Sequence, residues 1–303
     1  MSDNFDDPQQ AKPNNLKRVL WLASYPKSGN TWLRFVLDSY AADREVPINT
    51  YYGHYASGDL HVGSYQTVCP WPLNTAPQYV WVALRVPALL HMMAARQWEN
   101  MALKTHHANI EMFGMALIPP ELTIGAVYIV RDPRDVAISW ANHASVSIDR
   151  AIEFMGRDQA TIANQQVKLG HYVASWSQHV SSWTADNEDI ETTVVRYEDL
   201  LDDPHEEFSR VIKQTHFEYD ADRLSRAIER CSFDRLRAAE DEDGFKEKRG
   251  GDHFFRVGKS GQWRDRLTPG QIHRIEEQHC ELMMAMGYEL VEVEHDPLEQ
   301  GVA

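Results

Sequence analysis

The sequence is poor in cysteine and in positive charge, and it has no long apolar run. Its three cysteines, Cys69, Cys231 and Cys280, lie far apart and form no CxxC pair. They cannot all be disulfide-bonded, and a reducing, cytoplasmic setting fits them best. Lysine and arginine number 30 against 45 aspartates and glutamates, a formal charge of −15. That balance excludes a nonspecific binder of nucleic acid or of an anionic membrane surface. No run reaches the ~18 apolar residues that a membrane-spanning helix needs. The opening stretch, MSDNFDDPQQAKPNN, is polar and acidic and reads as a tail rather than a leader. No internal repeat, no long low-complexity block, no HExxH and no paired metal-ligand spacing occurs, so no metal is expected.

What is present is an α/β pattern. Of 303 residues, 43% are apolar, enough to bury a core in one large domain or two smaller ones. RVLWLAS (18–24) is a nearly continuous apolar run, as a strand buried on both faces requires. A helix is expected from about Asn30, with Trp32, Phe35, Val36 and Tyr40 at helical spacing. PALLHMMAARQWEN (87–100) reads as a helix and ALKTHH (102–107) as a strand running into a loop. GAVYIV (125–130) is a second central strand. After it Asp132 can cap a helix, with Pro133 at the first helical position and Asp135 in the first turn. Residues 160–186 carry the stripe Leu169, Val173, Trp176, Val180 and Trp183, expected as one long helix facing the core. TTVVRYEDL (192–200) is a third strand, Asp203 and Pro204 open another helix, and a last long helix follows Pro269.

Two stretches lack periodicity. Residues 45–80 hold Tyr51, Tyr52, Tyr55, Tyr65, Trp71 and Tyr79, and these rings either cap the core or line a binding pocket. AAEDEDGFKEKRGGDHFF (238–255) is charged and glycine-bearing, and is expected to be a mobile loop.

Alternating strands and helices predict a parallel sheet with helices on both faces. Ligands in such sheets bind beyond the carboxyl ends of the strands. Lys27 follows the first strand, Arg131 the second and Tyr197 the third, a recurrence that marks one site. In the first turn Lys27, Ser28, Gly29, Asn30 and Thr31 offer a charge, hydroxyls and backbone amides at a helix start, where an anion is favoured. Trp32 adds a flat ring for a base. The glycine pattern GxxxxGK[ST] of an ATP-binding loop is missing. Asp132 could mimic the metal-binding aspartate of a kinase, but its place before Pro133 reads as a cap.

SYPKSGNTW (24–32) resembles the 5′-phosphosulfate loop of the cytosolic-type sulfotransferases, TYPKSGTTW. Five further segments, in order, resemble that family's motifs, and the likeness runs over residues 18–290. KTHHA is similar to its KTH element and implies roles for Lys104 and His106. RDPRDVAISW resembles the 3′-phosphate motif, implying Arg131 and Ser139. RYEDL and CSFDRL imply Tyr197 and Phe233 near the adenine. FFRVGKSGQWRDRLTP resembles the RKGxxGDWK element and implies Arg256 and Gly258 at the 3′-phosphate.

The resemblance implies a single α/β domain, residues 16–290, of P-loop-like sulfotransferase fold, between tails at 1–15 and 291–303. It implies 3′-phosphoadenosine 5′-phosphosulfate (PAPS) as donor, 3′-phosphoadenosine 5′-phosphate (PAP) as product, no metal, and a small-molecule acceptor bearing a hydroxyl or amine. Neither nucleic acid nor membrane is an expected partner. His106 would act as general base, with Lys27 and Lys104 stabilising the transferring group and the leaving phosphate. The sequence departs from the family at four places. Asn30 and Cys231 each stand for a threonine. Val257 replaces a lysine, a loss that Lys259 or Arg249 could compensate. The dimer motif survives only as Arg264, Thr268, Pro269 and His273, which leaves the oligomeric state open. An ATP-dependent small-molecule kinase and a non-catalytic nucleotide-binding relative are the competing readings.

Overall fold

The computed structural model describes residues 18–50, 57–95, 100–163, 169–215, 217–251 and 253–291. The tail expected at 1–15 lies outside the described residues, as does the one at 291–303 apart from Val291. Four strands form the central sheet: β1 (Arg18–Ser24), β2 (Asn100–Thr105), β3 (Thr123–Val130) and β4 (Thr192–Arg196). All pair in parallel in the order β2-β1-β3-β4. Chain order reverses at β1, because β2 lies on one side of it and β3 on the other. The crevice beyond the ends of β1 and β3 is therefore the switch point at which such sheets bind ligands.

The continuous apolar character of β1 has a direct cause. Val19, Trp21 and Ala23 face one core cluster, and Leu20 and Leu22 face the other. The first cluster is closed by helices Pro133–Ala144, Ile148–Met155, Trp176–Thr184 and Pro269–Ala285. The second is closed by Asn30–Ala42, Pro204–Gln214, Ala221–Arg230 and Phe233–Asp243. Both faces of the sheet are covered, as expected of the α/β class. Each helix start follows its local chemistry. Asp132 accepts a hydrogen bond from the Arg134 amide with Pro133 at the first turn, and Thr268 and Gln271 form a capping box ahead of the last helix.

Four expectations are corrected. The stripe at 160–186 is not one helix. Residues Thr161–Ala163 and Gly170–Tyr172 form an antiparallel hairpin, and only Trp176–Thr184 is helical. The five stripe residues are still all buried; burial alone does not separate a strand from a helix, and residues 164–168 of that stretch are outside the described ones. The helix read at 87–100 runs from Arg85 to Ala94, and Asn100 already belongs to β2. Within 45–80, Val62–Val68 and Gln78–Ala83 are helical. Tyr65 is buried against Trp81 there, whereas Trp71 and Tyr79 are exposed; Tyr51, Tyr52 and Tyr55 lie outside the described residues. In the charged stretch 238–255, residues up to Asp243 complete a helix. The rest is tied down: buried Glu240 accepts from the amides of Phe254 and Phe255, and Phe245 packs against both rings.

Candidate functional site

The turn after β1 is built around two left-handed residues, Lys27 (φ 71°) and Gly29 (φ 105°). A Cβ at Gly29 would fall 2.5 Å from Cδ2 of Tyr197, so the turn closes onto the end of β4 only with glycine there. Gly29 is also the N-cap of Asn30–Ala42 and supplies no side-chain acceptor. The first amides of that helix therefore point outward, and the buried hydroxyl of Ser28 has no partner among the described residues. Asn30 donates from its side chain to the Leu22 carbonyl. It thus locks the turn to β1, which is what this departure from threonine does here. Thr31 accepts from Arg34, and Trp32 donates to the Cys231 carbonyl while meeting Tyr197 edge-on. Trp32 is thus partly engaged in packing.

Arg131 draws the strand ends together. Its guanidinium lies 4.3 Å from the centre of the Tyr197 ring and donates to the carbonyls of Lys27 and Lys259, each at 3.2 Å. Asp135, read from sequence only as a first-turn acid, is 3.7 Å from Arg131 and accepts from the amides of Gly261 and Trp263. It anchors the 256–263 segment. On that segment Gly258 (φ 65°) abuts Phe233, whose Cδ2 would be 2.3 Å from an added Cβ. Phe233 and Gly258 are therefore neighbours, a closeness the sequence reading did not foresee. Lys27, Ser139 and Arg256 line one narrow cleft together with Asn142, His143, Gly250, His253 and Phe254. Arg131 stands behind Lys27 and is not part of that lining.

The cleft is strongly electropositive in a protein of net negative charge. Lys27 is pushed down to about 7, by burial first and then by Lys104 and Arg131. Arg256 is lowered by burial and by Arg266 and Arg131, and His143 falls to about 4 through burial, Lys27 and Arg249. Two features missed by sequence reading answer this charge. Glu247 forms a two-oxygen contact with Arg34 (2.8 and 2.9 Å) and lies 3.5 Å from Lys104. Burial alone would raise it, but Lys104 and Arg34 hold it down at about 2. The ring of Phe254 sits 4.0 Å from the Lys27 ammonium.

His106 is half-buried beside the same turn. Its Nδ1 is 2.8 Å from the Ser24 carbonyl, an acceptor, so Nδ1 carries the proton and Nε2 keeps a lone pair. Among the described residues, Nε2 makes no hydrogen bond. Burial, then Lys104, keeps the ring well below the ordinary histidine value and hence neutral. His179 donates to the His106 carbonyl and fixes that stretch of backbone. His107 points the other way: its Nδ1 accepts from the Tyr172 amide, and it is buried. Arg134 is buried between Asp132 and Glu276 and over the Trp263 ring. Because Arg134 occupies both oxygens of Asp132, that carboxylate is not free to hold a metal in the manner of a kinase. Glu247, Asp59 and His171 came from stretches read as aperiodic or as helix, and only the pairing of charges across the fold reveals them.

Residues 17–287 match the family model described as a sulfotransferase domain. Sulfotransferase 1A1 of Canis lupus familiaris is 23% identical over 92% of this chain and 86% of its own length. The structure of retinol dehydratase in complex with androsterone and inactive cofactor PAP superposes with a TM-score of 0.59 at 19% identity, over 90% of this chain and 82% of that one. Mouse sulfotransferase SULT7A1 complexed with PAP gives 0.55 at 17% identity, over 88% and 85%. The family match spans nearly the whole described fold, and the chain belongs to the sulfotransferase-domain family.

Proposed function

We propose that this chain is a cytoplasmic enzyme that moves a sulfuryl group from PAPS to a hydroxyl or amine of a small acceptor. The observation that carries the reading is the convergence of Lys27, Ser139 and Arg256 on one cleft, next to the unpartnered Ser28 hydroxyl. The donor supplies an activated sulfuryl group together with a 5′- and a 3′-phosphate. Lys27, Ser28 and the amides of Gly29 to Thr31 would hold the 5′ end. Arg131, Ser139, Arg256 and Gly258 would hold the 3′-phosphate, with Lys259 or Arg249 making up for Val257. Trp32, Tyr197 and Phe233 would flank the base. These side chains supply the cationic charge that such a transfer requires, so no metal is called for.

Each catalytic group has a role set by its surroundings. His106 is neutral, and its Nε2 lone pair can take the acceptor's proton, because Ser24 holds the proton of the other nitrogen. Lys104 helps hold the transferring group. Lys27 meets the charge that develops on the phosphate oxygen as the bond to sulfur breaks. Retinol dehydratase and SULT7A1 are described with PAP, which supports the donor. Relatives with small lipophilic ligands, androsterone and retinol, support an acceptor of low molecular weight.

The present arrangement also implies a competition. The Glu247 carboxylate occupies Lys104, and Phe254 covers Lys27. Donor binding must move both. Glu247 thus acts as an internal anion for Arg34 and Lys104.

Three outcomes follow. His106→Ala should abolish sulfuryl transfer, measured with labelled donor, while PAP affinity stays near wild type and Arg131→Ala weakens that affinity; full activity of the His106 variant would refute the base. Glu247→Gln should tighten PAP binding by about fivefold, as expected for a partly exposed ion pair worth roughly 1 kcal/mol; weaker or unchanged binding in calorimetry would remove the competition. Near pH ~8 Lys27 is mostly neutral, and a bound anion favours its cation, so PAP binding should take up protons and strengthen as pH falls toward ~7. Calorimetry in buffers of different ionisation heat reads this directly, and Lys27→Arg should lose it; zero uptake by wild type would contradict the assignment.

A further inference from the structure

Asp59 is fully buried and holds three groups. Its Oδ2 accepts from Arg85 at 2.7 Å and from the Thr105 hydroxyl at 2.8 Å, and its Oδ1 lies 3.0 Å from Nε2 of His171. Nε2 of His107 stands 3.8 Å from Oδ2. Asp59, His107 and His171 come within 4.8 Å of one another, a spacing that could suit a metal ion, but the donors do not. The Tyr172 amide donates to Nδ1 of His107, which places that ring's proton on Nε2, the atom a metal would need. The Arg85 guanidinium already neutralises the carboxylate and would repel a second cation.

The same contacts make a histidine–carboxylate pair. Asp59 accepts from Nε2–H of His171, so the lone pair of that imidazole is on Nδ1, for which no partner occurs among the described residues. A carboxylate behind an imidazole fixes its tautomer and favours its charged form. His171 meets His106 edge-on, with ring centres 5.5 Å apart and planes at 71°. The two rings make no direct hydrogen bond, and with Nδ1 of His106 on Ser24 and Nε2 of His171 on Asp59 the two remaining nitrogens are close enough for a water to bridge them. The His171 side chain keeps 19% of its surface exposed, whereas Asp59 keeps none. The pair therefore has a sealed end and an open end.

We propose that His171, held by Asp59, is a proton relay: the acceptor's proton passes from Nε2 of His106 to Nδ1 of His171 and then to solvent. The proposal rests on the sulfotransferase reading above and deepens it. The proton balance is simple. The acceptor O–H bond breaks as its oxygen bonds to sulfur, the sulfur–phosphate oxygen bond breaks with its electron pair left on the phosphate, and the released proton moves along the two rings. A relay answers a difficulty of the site. His106 lies beside Lys104 in a half-buried position where desolvation and that charge disfavour its cation, so it accepts a proton readily only if it can pass it on. His171 is held by Asp59 on one side and meets the His106 and His107 rings from the segment after β2; Arg85, from helix Arg85–Ala94, shares Asp59 with it, and His179, from helix Trp176–Thr184, lies near enough to act on it electrostatically. Asp59 is the anion among them, and it contacts His171 rather than His106.

The test uses the full chain. His171→Ala should lower kcat by about 10²-fold, within the range for a proton-transfer group, with PAP affinity and thermal stability near wild type. Added imidazole should restore part of the rate, and kcat should come to depend on the concentration of buffer base. Unchanged kcat would overturn the relay; so would a lost rate that imidazole does not restore in a variant that still binds PAP. A second measurement does not need turnover. Histidine-resolved NMR of the wild type should show His171 as the Nε2–H tautomer, and its Nδ1 resonance should move in His106→Ala, where the bridged contact is lost. An unmoved Nδ1 resonance would also overturn the proposal. If wild type transfers sulfate to no acceptor, the enzyme reading fails, and the NMR result still decides whether the two rings are coupled.

Discussion

The site depends on one buried cation. Arg131 sits over the Tyr197 ring, donates to the carbonyls of Lys27 and Lys259 and lies beside Asp135. It therefore ties the turn after β1, the end of β4 and the 256–263 segment to the start of the helix after β3. A buried guanidinium needs several acceptors to offset the loss of water, and those acceptors are three separate pieces of chain. Their mutual placement follows from that demand. The glycines then complete the closure: Gly29 against Tyr197 and Gly258 against Phe233 are contacts that any side chain would block.

Around that cation the protein concentrates positive charge against its overall negative balance. The consequence is visible in Lys27, whose ammonium is depressed to about 7 by burial and by its cationic neighbours. A site so arranged is unfavourable when empty of anions. Glu247 relieves it from within by pairing with Arg34 and lying close to Lys104. The same logic runs on the other side of His106, where Asp59 is the anion for Arg85 and His171. Arg34, Lys104 and Arg85 thus each have an acid beside them, and those two counter-anions, Glu247 and Asp59, lie on segments that do not belong to the central sheet.

The sequence was most readable where the local signal and the tertiary environment agree. The strand at 18–24, the capped helix start at Asp132 and Pro133, and the last helix after Thr268 all lie where their residues indicated, because a two-sided apolar run and a cap admit few alternatives. The stretch 160–186 failed for a physical reason: Leu169 and Val173 are buried from a hairpin and its flanks, while Trp176, Val180 and Trp183 are buried from a helix. An apolar spacing records burial and not backbone conformation. Lys27, Ser139 and Arg256 were legible through motif resemblance and share one cleft. Glu247, Asp59 and His171 were not, because a charged or polar residue in an aperiodic stretch carries no mark of the partner it will meet. Arg134 is likewise silent in the sequence, since its burial is set by Glu276, far along the chain.

Under the proposed function, these converging cations recognise a nucleoside carrying phosphate at both its 3′ and 5′ positions. Calorimetric affinities for PAP and for adenosine 5′-monophosphate, at one ionic strength, test it most directly. The account predicts that PAP binds tighter by about 10²-fold, the worth of charge-assisted contacts to a second phosphate. Equal affinities, or tighter binding of ATP with magnesium than of PAP, would contradict it.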